Sequence, residues 1–180
     1  MKNNKILIAS LVTLLLVSGC AKKVSAAEAK KFVTENYSLE KAKEKYASVE
    51  VTEVVDVTKS EGFFEGLVEV GKEEETYEGT ISVVDETDIV DEEGYSYTLN
   101  GKKLTMKYAL GADDLKKMME LPDEAKVSGS VSVTAKVNEY GCPESYVTVV
   151  DLKLSFTTSG VKVEGSLKAK TTQTYKYTAK

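Results

Sequence analysis

The sequence predicts an α+β domain built on one large antiparallel β-sheet, curved or half-barrelled, with amphipathic helices at its N-terminal side and one short inserted helix. Three observations predict it. Apolar residues recur at helical spacing between Ser25 and Tyr46, alternate with polar ones from Val49 onward, and are separated by turn signals such as Asn100-Gly101. Helices followed by a run of strands is the element order of an α+β fold.

Ser25-Ala26-Ala27-Glu28 has the pattern of a capping box, in which the hydroxyl and the carboxylate each satisfy a free backbone N–H at a helix start. Ala29, Phe32, Val33 and Tyr37 supply the apolar stripe of that helix. Ser38 is placed to cap a second short helix carrying Leu39, Ala42 and Tyr46. Both are polar enough to lie over a core rather than within one.

Val49, Val51, Val55 and Val57 then alternate with polar residues, interrupted by Glu53. Ser60-Glu61-Gly62 signals a turn before a second expected strand bearing Phe64, Gly66, Val68 and Val70. A turn over Gly71 to Glu75 precedes a third, with Tyr77, Gly79, Ile81 and Val83, and Ile89-Val90 is expected as a short edge strand. Asn-Gly readily takes the two positive-φ positions of a type I′ turn, so Asn100-Gly101 predicts a hairpin. Its register opposes Leu99 to Lys102, Tyr97 to Leu104 and Tyr95 to Met106, placing Tyr95, Tyr97, Leu104, Met106 and Tyr108 on one face.

Leu115, Met118 and Met119 fit one face of a short helix from Ala112 to Leu121, stopped by Pro122. Three long strands follow. The first alternates Val127, Val131, Val133, Ala135 and Val137 with serines, Thr134 and Lys136. In the second, Val147 and Val149 change phase to Val150, Leu152, Leu154 and Phe156, which predicts a bulge near Val149. The third runs from Val161 to Tyr177, longer than the usual limit of about 10 residues, so a bend is expected near Gly165 or Thr171 to Thr174.

At the N-terminus, Lys2 and Lys5 precede an apolar run from Ile6 to Val17, too short to span a bilayer, which needs about 20 residues. Val17-Ser18-Gly19-Cys20 resembles the lipobox of bacterial lipoproteins, and the resemblance covers the whole signal in the right order. It implies removal of residues 1–19, diacylation of the Cys20 thiol, and residence on the outer face of a cell membrane, or the outer membrane of a two-membrane host. Two acyl chains make a durable anchor. Residues 20–24 are then a tether reaching about 15 Å, and residues 25–180 a single β-rich domain.

Composition narrows the function. The chain has 24 basic residues, all Lys, with no His and no Trp, and a formal charge of −5. Without His no side chain titrates unperturbed near neutrality, and without Arg there is no bidentate fork for phosphate. A non-catalytic protein with no cofactor and no metal is expected. Nucleic acid is disfavoured because its binders carry basic surfaces. From Glu50 to Tyr95 there are 16 acidic residues against Lys59 and Lys72.

Several motifs have plainer explanations than chemistry. Ser38-Leu39-Glu40-Lys41 matches the nucleophile motif of penicillin-binding proteins, but no Lys-Thr-Gly or Ser-Asp-Asn accompanies it, and a helix cap accounts for it. Asp85, Glu86, Asp88, Asp91, Glu92 and Glu93 lack the order of a calcium-binding EF-hand loop and read as a solvated segment. Glu53, in line with valines, fits either an ion pair with a Lys or an incompletely buried strand. Cys142, in the turn Tyr140-Gly141-Cys142-Pro143, has no disulfide partner and reads as an unreactive thiol.

Helices, a long antiparallel sheet and a short helix between strands also resemble, in element order over most of the chain, half-barrel lipoproteins of the LolA/LppX kind. The resemblance implies a sheet that cups an apolar ligand under helices. It carries no residue motif. Tyr95, Tyr97, Leu104, Met106, Tyr108, Phe32 and Met118 are the candidate ligand-binding residues, because Met adapts to varied ligands and Tyr joins an apolar body to a polar tip. Expected partners are the membrane, through the lipid anchor, and an apolar small molecule or an envelope protein. The alternative is a structural or protein-interaction lipoprotein with a solid core.

Overall fold

A computed structural model of the chain describes residues 21–180. Its elements in order are β1 (Lys22–Val24), α1 (Ala26–Asn36), α2 (Leu39–Lys45), β2 (Tyr46–Gly62), β3 (Gly71–Gly79), a 3-10 turn (Glu86–Asp88), β4 (Tyr95–Asn100), β5 (Lys103–Leu110), α3 (Ala112–Met118), β6 (Lys126–Val137), β7 (Pro143–Thr158) and β8 (Val161–Ala179). The eight strands form one open antiparallel sheet in the order β1-β4-β5-β6-β7-β8-β2-β3, so the fold is α+β. The segment expected as a lipobox, with Cys20, lies outside the described residues.

Local chemistry sets the first elements. The Ser25 hydroxyl accepts from the Glu28 N–H at 3.2 Å and a Glu28 carboxylate oxygen accepts from the Ser25 N–H at 2.9 Å, closing the capping box. Ser38 holds the N-cap of α2 but makes no side-chain cap. The hairpin has the expected register, Tyr97 opposite Met106 and Leu99 opposite Leu104.

Other elements depart from expectation. Lys22 to Val24 is not free tether but an edge strand paired with Leu99 to Tyr97, so backbone pairing begins two residues after Cys20. Phe64 to Val70 is not a strand. Successive turns link Glu61, Gly62, Phe64 and Leu67, and Phe64 buries its ring at 7% exposure without needing a ladder partner. Gly71 to Glu75, expected as a turn, pairs with Val57 to Glu53. This edge strand is solvent-exposed along its length, so burial imposes no alternation on it. Ile81, Val83, Ile89 and Val90 lie outside any strand.

No bulge occurs at Val149. β7 keeps one register with β6 from Lys126 to Lys136 and with β8 throughout, and valines simply occupy both of its faces. Nor is β8 interrupted against β7. The irregularities lie against its other neighbour, between Tyr46 and Ser48 and between Val57 and Lys59 of β2. α3 ends at Met118, short of Leu121, and Glu120 follows at φ 51°.

Register assigns the faces. One face carries Tyr97, Met106, Ala135, Tyr146, Gln173 and Glu53 in a row across six strands, with Val131, Val150, Ala169 and Val57 two rows further along it. The other carries Ser132, Thr134, Lys136, Asp151, Lys168 and Lys170. Above the apolar face, residues 80–94 form a strap between sheet and helix. The Val84 N–H donates to the Gly141 carbonyl at 2.9 Å, and Val84 and Ile89 join Ala29 and Val33 of α1 with Tyr97, Leu104 and Val137 of the sheet in the core. Helix α1 packs on β4 and the 3-10 turn, α2 on β2, and α3 on β5 and β6. Val131, Val133, Val150 and Ala169 remain part-exposed on the sheet floor.

Candidate functional site

The strap stops short of covering the whole apolar face. Beside it a cleft of about 280 Å³ opens on the sheet, lined by Tyr95, Tyr97, Met106, Lys107, Tyr108, Val133, Ala135 and Tyr146, with Asp88 of the strap at its rim. Strand alternation puts Lys107, opposite Ser96 and Thr134, on the polar face of the sheet. The wall is therefore aromatic and aliphatic with one carboxylate. Three larger concavities lie elsewhere: about 460 Å³ around Lys59, Lys126, Lys153 and Glu164, about 530 Å³ around Glu53, Glu73, Glu74 and Glu75, and about 410 Å³ between α1 and the strap, where Val33, Tyr37, Leu39 and Val84 meet Asp85 and Glu86.

The tyrosines are fixed in three ways. Tyr95 and Tyr108, directly opposed across the hairpin, stack at 4.2 Å between centroids and 23° between planes. Tyr97 is buried, and its hydroxyl donates to the Val90 carbonyl at 2.7 Å while accepting from the Val90 N–H at 2.8 Å, which ties the strap to the sheet. Tyr146 meets Tyr175 edge to face at 5.8 Å. Burial, then the charge of Asp88, pushes the Tyr146 hydroxyl above its ordinary pKa. Burial, followed by Tyr95, Asp114 and Glu92, does the same to Tyr108.

Of the residues the sequence nominates, Tyr95, Tyr97, Met106 and Tyr108 come together at this cleft. Leu104 is fully buried in the core beneath the strap. Phe32 packs against that core and meets Tyr37 edge to face at 5.5 Å. Met118 stands 62% exposed on α3 and does not line the cleft. Tyr146, Val133, Ala135 and Asp88 were missed. Val133 and Ala135 sit in a visible alternating run, whereas Tyr146 was hidden by reading β7 in the phase of Val147 and Val149.

The acidic stretch has a structural explanation. An Asp85 carboxylate oxygen accepts from the Thr87 N–H at 2.7 Å and an Asp88 oxygen accepts from the Asp85 N–H at 2.9 Å, so these two hold the 3-10 turn. Among the described residues no three metal-ligating side chains converge. Glu53 faces Glu75 directly across β2 and β3 and is hydrogen-bonded by the Gln173 side-chain amide rather than by a lysine. Cys142 is fully buried, its thiol pushed up to about 11 by burial. Comparison of the chain with protein-family models, curated proteins and solved structures finds no match.

Proposed function

We propose that this protein is a lipid-anchored binding module on the outer face of a cell membrane, holding an apolar or lipid-like ligand on the part of the sheet its strap and helices leave open. The observation that carries the reading is the cleft itself. Apolar and aromatic side chains with a few polar groups are the usual make-up of a small-molecule site, and the volume of about 280 Å³ lies just below the usual range, which starts near 300 Å³. Binding rather than catalysis fits the residue supply, since the cleft's one carboxylate at the rim has no neighbouring base or nucleophile. The anchor rests on the lipobox resemblance, and the cupped-ligand reading shares its element order with half-barrel lipoproteins.

Two measurements test it. Growth of the host with radiolabelled palmitate should label the protein and leave a Cys20→Ala variant unlabelled and released from the envelope. Native mass spectrometry of the gently purified protein should show a co-purifying lipid or apolar molecule, and 1-N-phenylnaphthylamine should bind with a saturable rise in fluorescence. An unlabelled wild type refutes the anchor. A protein free of adducts that also fails to bind the dye refutes the ligand site.

A second reading draws on the far end of the sheet, where Phe63, Leu67, Val70 and Val161 stand 40–69% exposed. Exposed apolar side chains of this kind suit docking by an envelope protein. It predicts a protein cross-linked through this tip, with the tyrosine cleft irrelevant.

A further inference from the structure

Resting on the ligand-binding reading above, the geometry points to a ligand that carries a positive charge: we propose that the tyrosine cleft takes an alkylated ammonium group, free or as part of a lipid headgroup. An aromatic face attracts cations through its negative quadrupole, and groups of aromatic rings are the established chemistry for holding quaternary ammonium. Here four tyrosines contribute. The stacked Tyr95–Tyr108 pair leaves its outer ring faces free of one another, Tyr146 is braced by Tyr175, and Met106 adds a polarizable wall.

Charge on the strap points the same way. Between Thr80 and Gly94 stand Asp85, Glu86, Asp88, Asp91, Glu92 and Glu93 with no lysine. The six ion pairs among the described residues all lie elsewhere, so none of these carboxylates is neutralised by one. Asp88 is at the cleft rim and gives one oxygen to the Asp85 N–H. An apolar anion would be repelled at this rim, and a neutral apolar molecule would gain nothing from it. A compact organic cation uses both the rings and the rim. The cleft's volume of about 280 Å³ exceeds what a trimethylammonium group fills, leaving room for an attached chain along Val133 and Ala135.

The test uses the full chain in phosphatidylglycerol nanodiscs, with heats from empty discs subtracted. Choline is titrated against 3,3-dimethylbutan-1-ol, its neutral carbon isostere, and 1-N-phenylnaphthylamine serves as a separate apolar probe. Choline should bind about tenfold more tightly than the isostere. Asp88→Asn, which keeps the oxygen that accepts from Asp85, and Tyr146→Leu should each erase most of that difference while dye binding persists. Repeating the titration in phosphatidylcholine discs separates the two sources. Choline binding abolished there marks the headgroup as occupant, and choline binding unchanged marks a free cation. Equal affinity for choline and the isostere overturns the cationic ligand while leaving the apolar reading intact. Binding of neither probe nor dye overturns both.

Discussion

Tyr97 clasps the backbone of Val90 from below: one phenolic oxygen satisfies both the N–H and the carbonyl of a residue that belongs to no strand. That pair of bonds is what a buried, irregular segment needs, because its backbone polar groups have no ladder to join. Tyr97→Phe removes both hydrogen bonds at once while keeping the ring, and leaves the Val90 N–H and carbonyl without their partner. The expected loss is about 1–3 kcal/mol, read from the urea midpoint. Faster amide exchange at Val90 should accompany it.

Leu104 and Met118 were nominated together from the sequence, and the structure separates them. Leu104 is wholly buried, and Leu104→Ala should cost about 2–5 kcal/mol through lost burial and the cavity left behind. Met118, 62% exposed, should change stability by less than about 0.5 kcal/mol on replacement by Ala. Equal effects in chemical denaturation would contradict the arrangement of α3.

Glu53 and Glu75 oppose one another with like charge. Glu53→Gln keeps an oxygen for the Gln173 amide and removes the repulsion. Stability should rise by up to about 1 kcal/mol at low salt, and the gain should shrink as added salt screens the pair.

Alkaline pH should unfold the protein through groups buried neutral. Cys142 moves from an ordinary 9.0 to about 11, and burial also raises Tyr37 and Tyr177 above their usual value of 10.0. The folded state holds these protons more tightly than the unfolded chain. Its advantage is thus complete below about pH 9 and drains away as pH climbs through the folded values. Melting temperature should be level from pH 7 to 9 and fall beyond. Cys142→Ala should flatten the part of the fall between pH 9 and 11 relative to its own neutral-pH value, and the native thiol should resist Ellman's reagent until the chain is denatured.

Elements whose burial writes a pattern were legible in the sequence. The hairpin around Asn100-Gly101 is an example, since turn chemistry and the alternation of Tyr95, Tyr97, Leu104 and Met106 agree on one register. β3 was legible only at its Tyr77–Gly79 end, because an edge strand exposed on both faces has little alternation to show, and its glutamates instead discourage pairing with other chains. The strap escaped for a different reason. Ile89 is buried in a segment with no regular period, held by the hydroxyl of Tyr97, and nothing in the local sequence of either residue announces the other. Half of the cleft was visible as the hairpin's aromatic face. The remainder depends on β7 lying two strands away in space, a relation that period alone cannot supply.

The place of β8 in the sheet also governs how the molecule assembles. The last strand made is the one that joins β2 to β7, with Val49 beside Tyr177. Until the C-terminal residues arrive, the early β2–β3 ribbon has no neighbour to dock on and its valines stay wet. Such distant pairing makes for slow maturation and a sticky interval before the sheet closes. A polypeptide cut short before β8 would leave two orphaned fragments of sheet, prey for proteases, rather than a smaller working version of the whole.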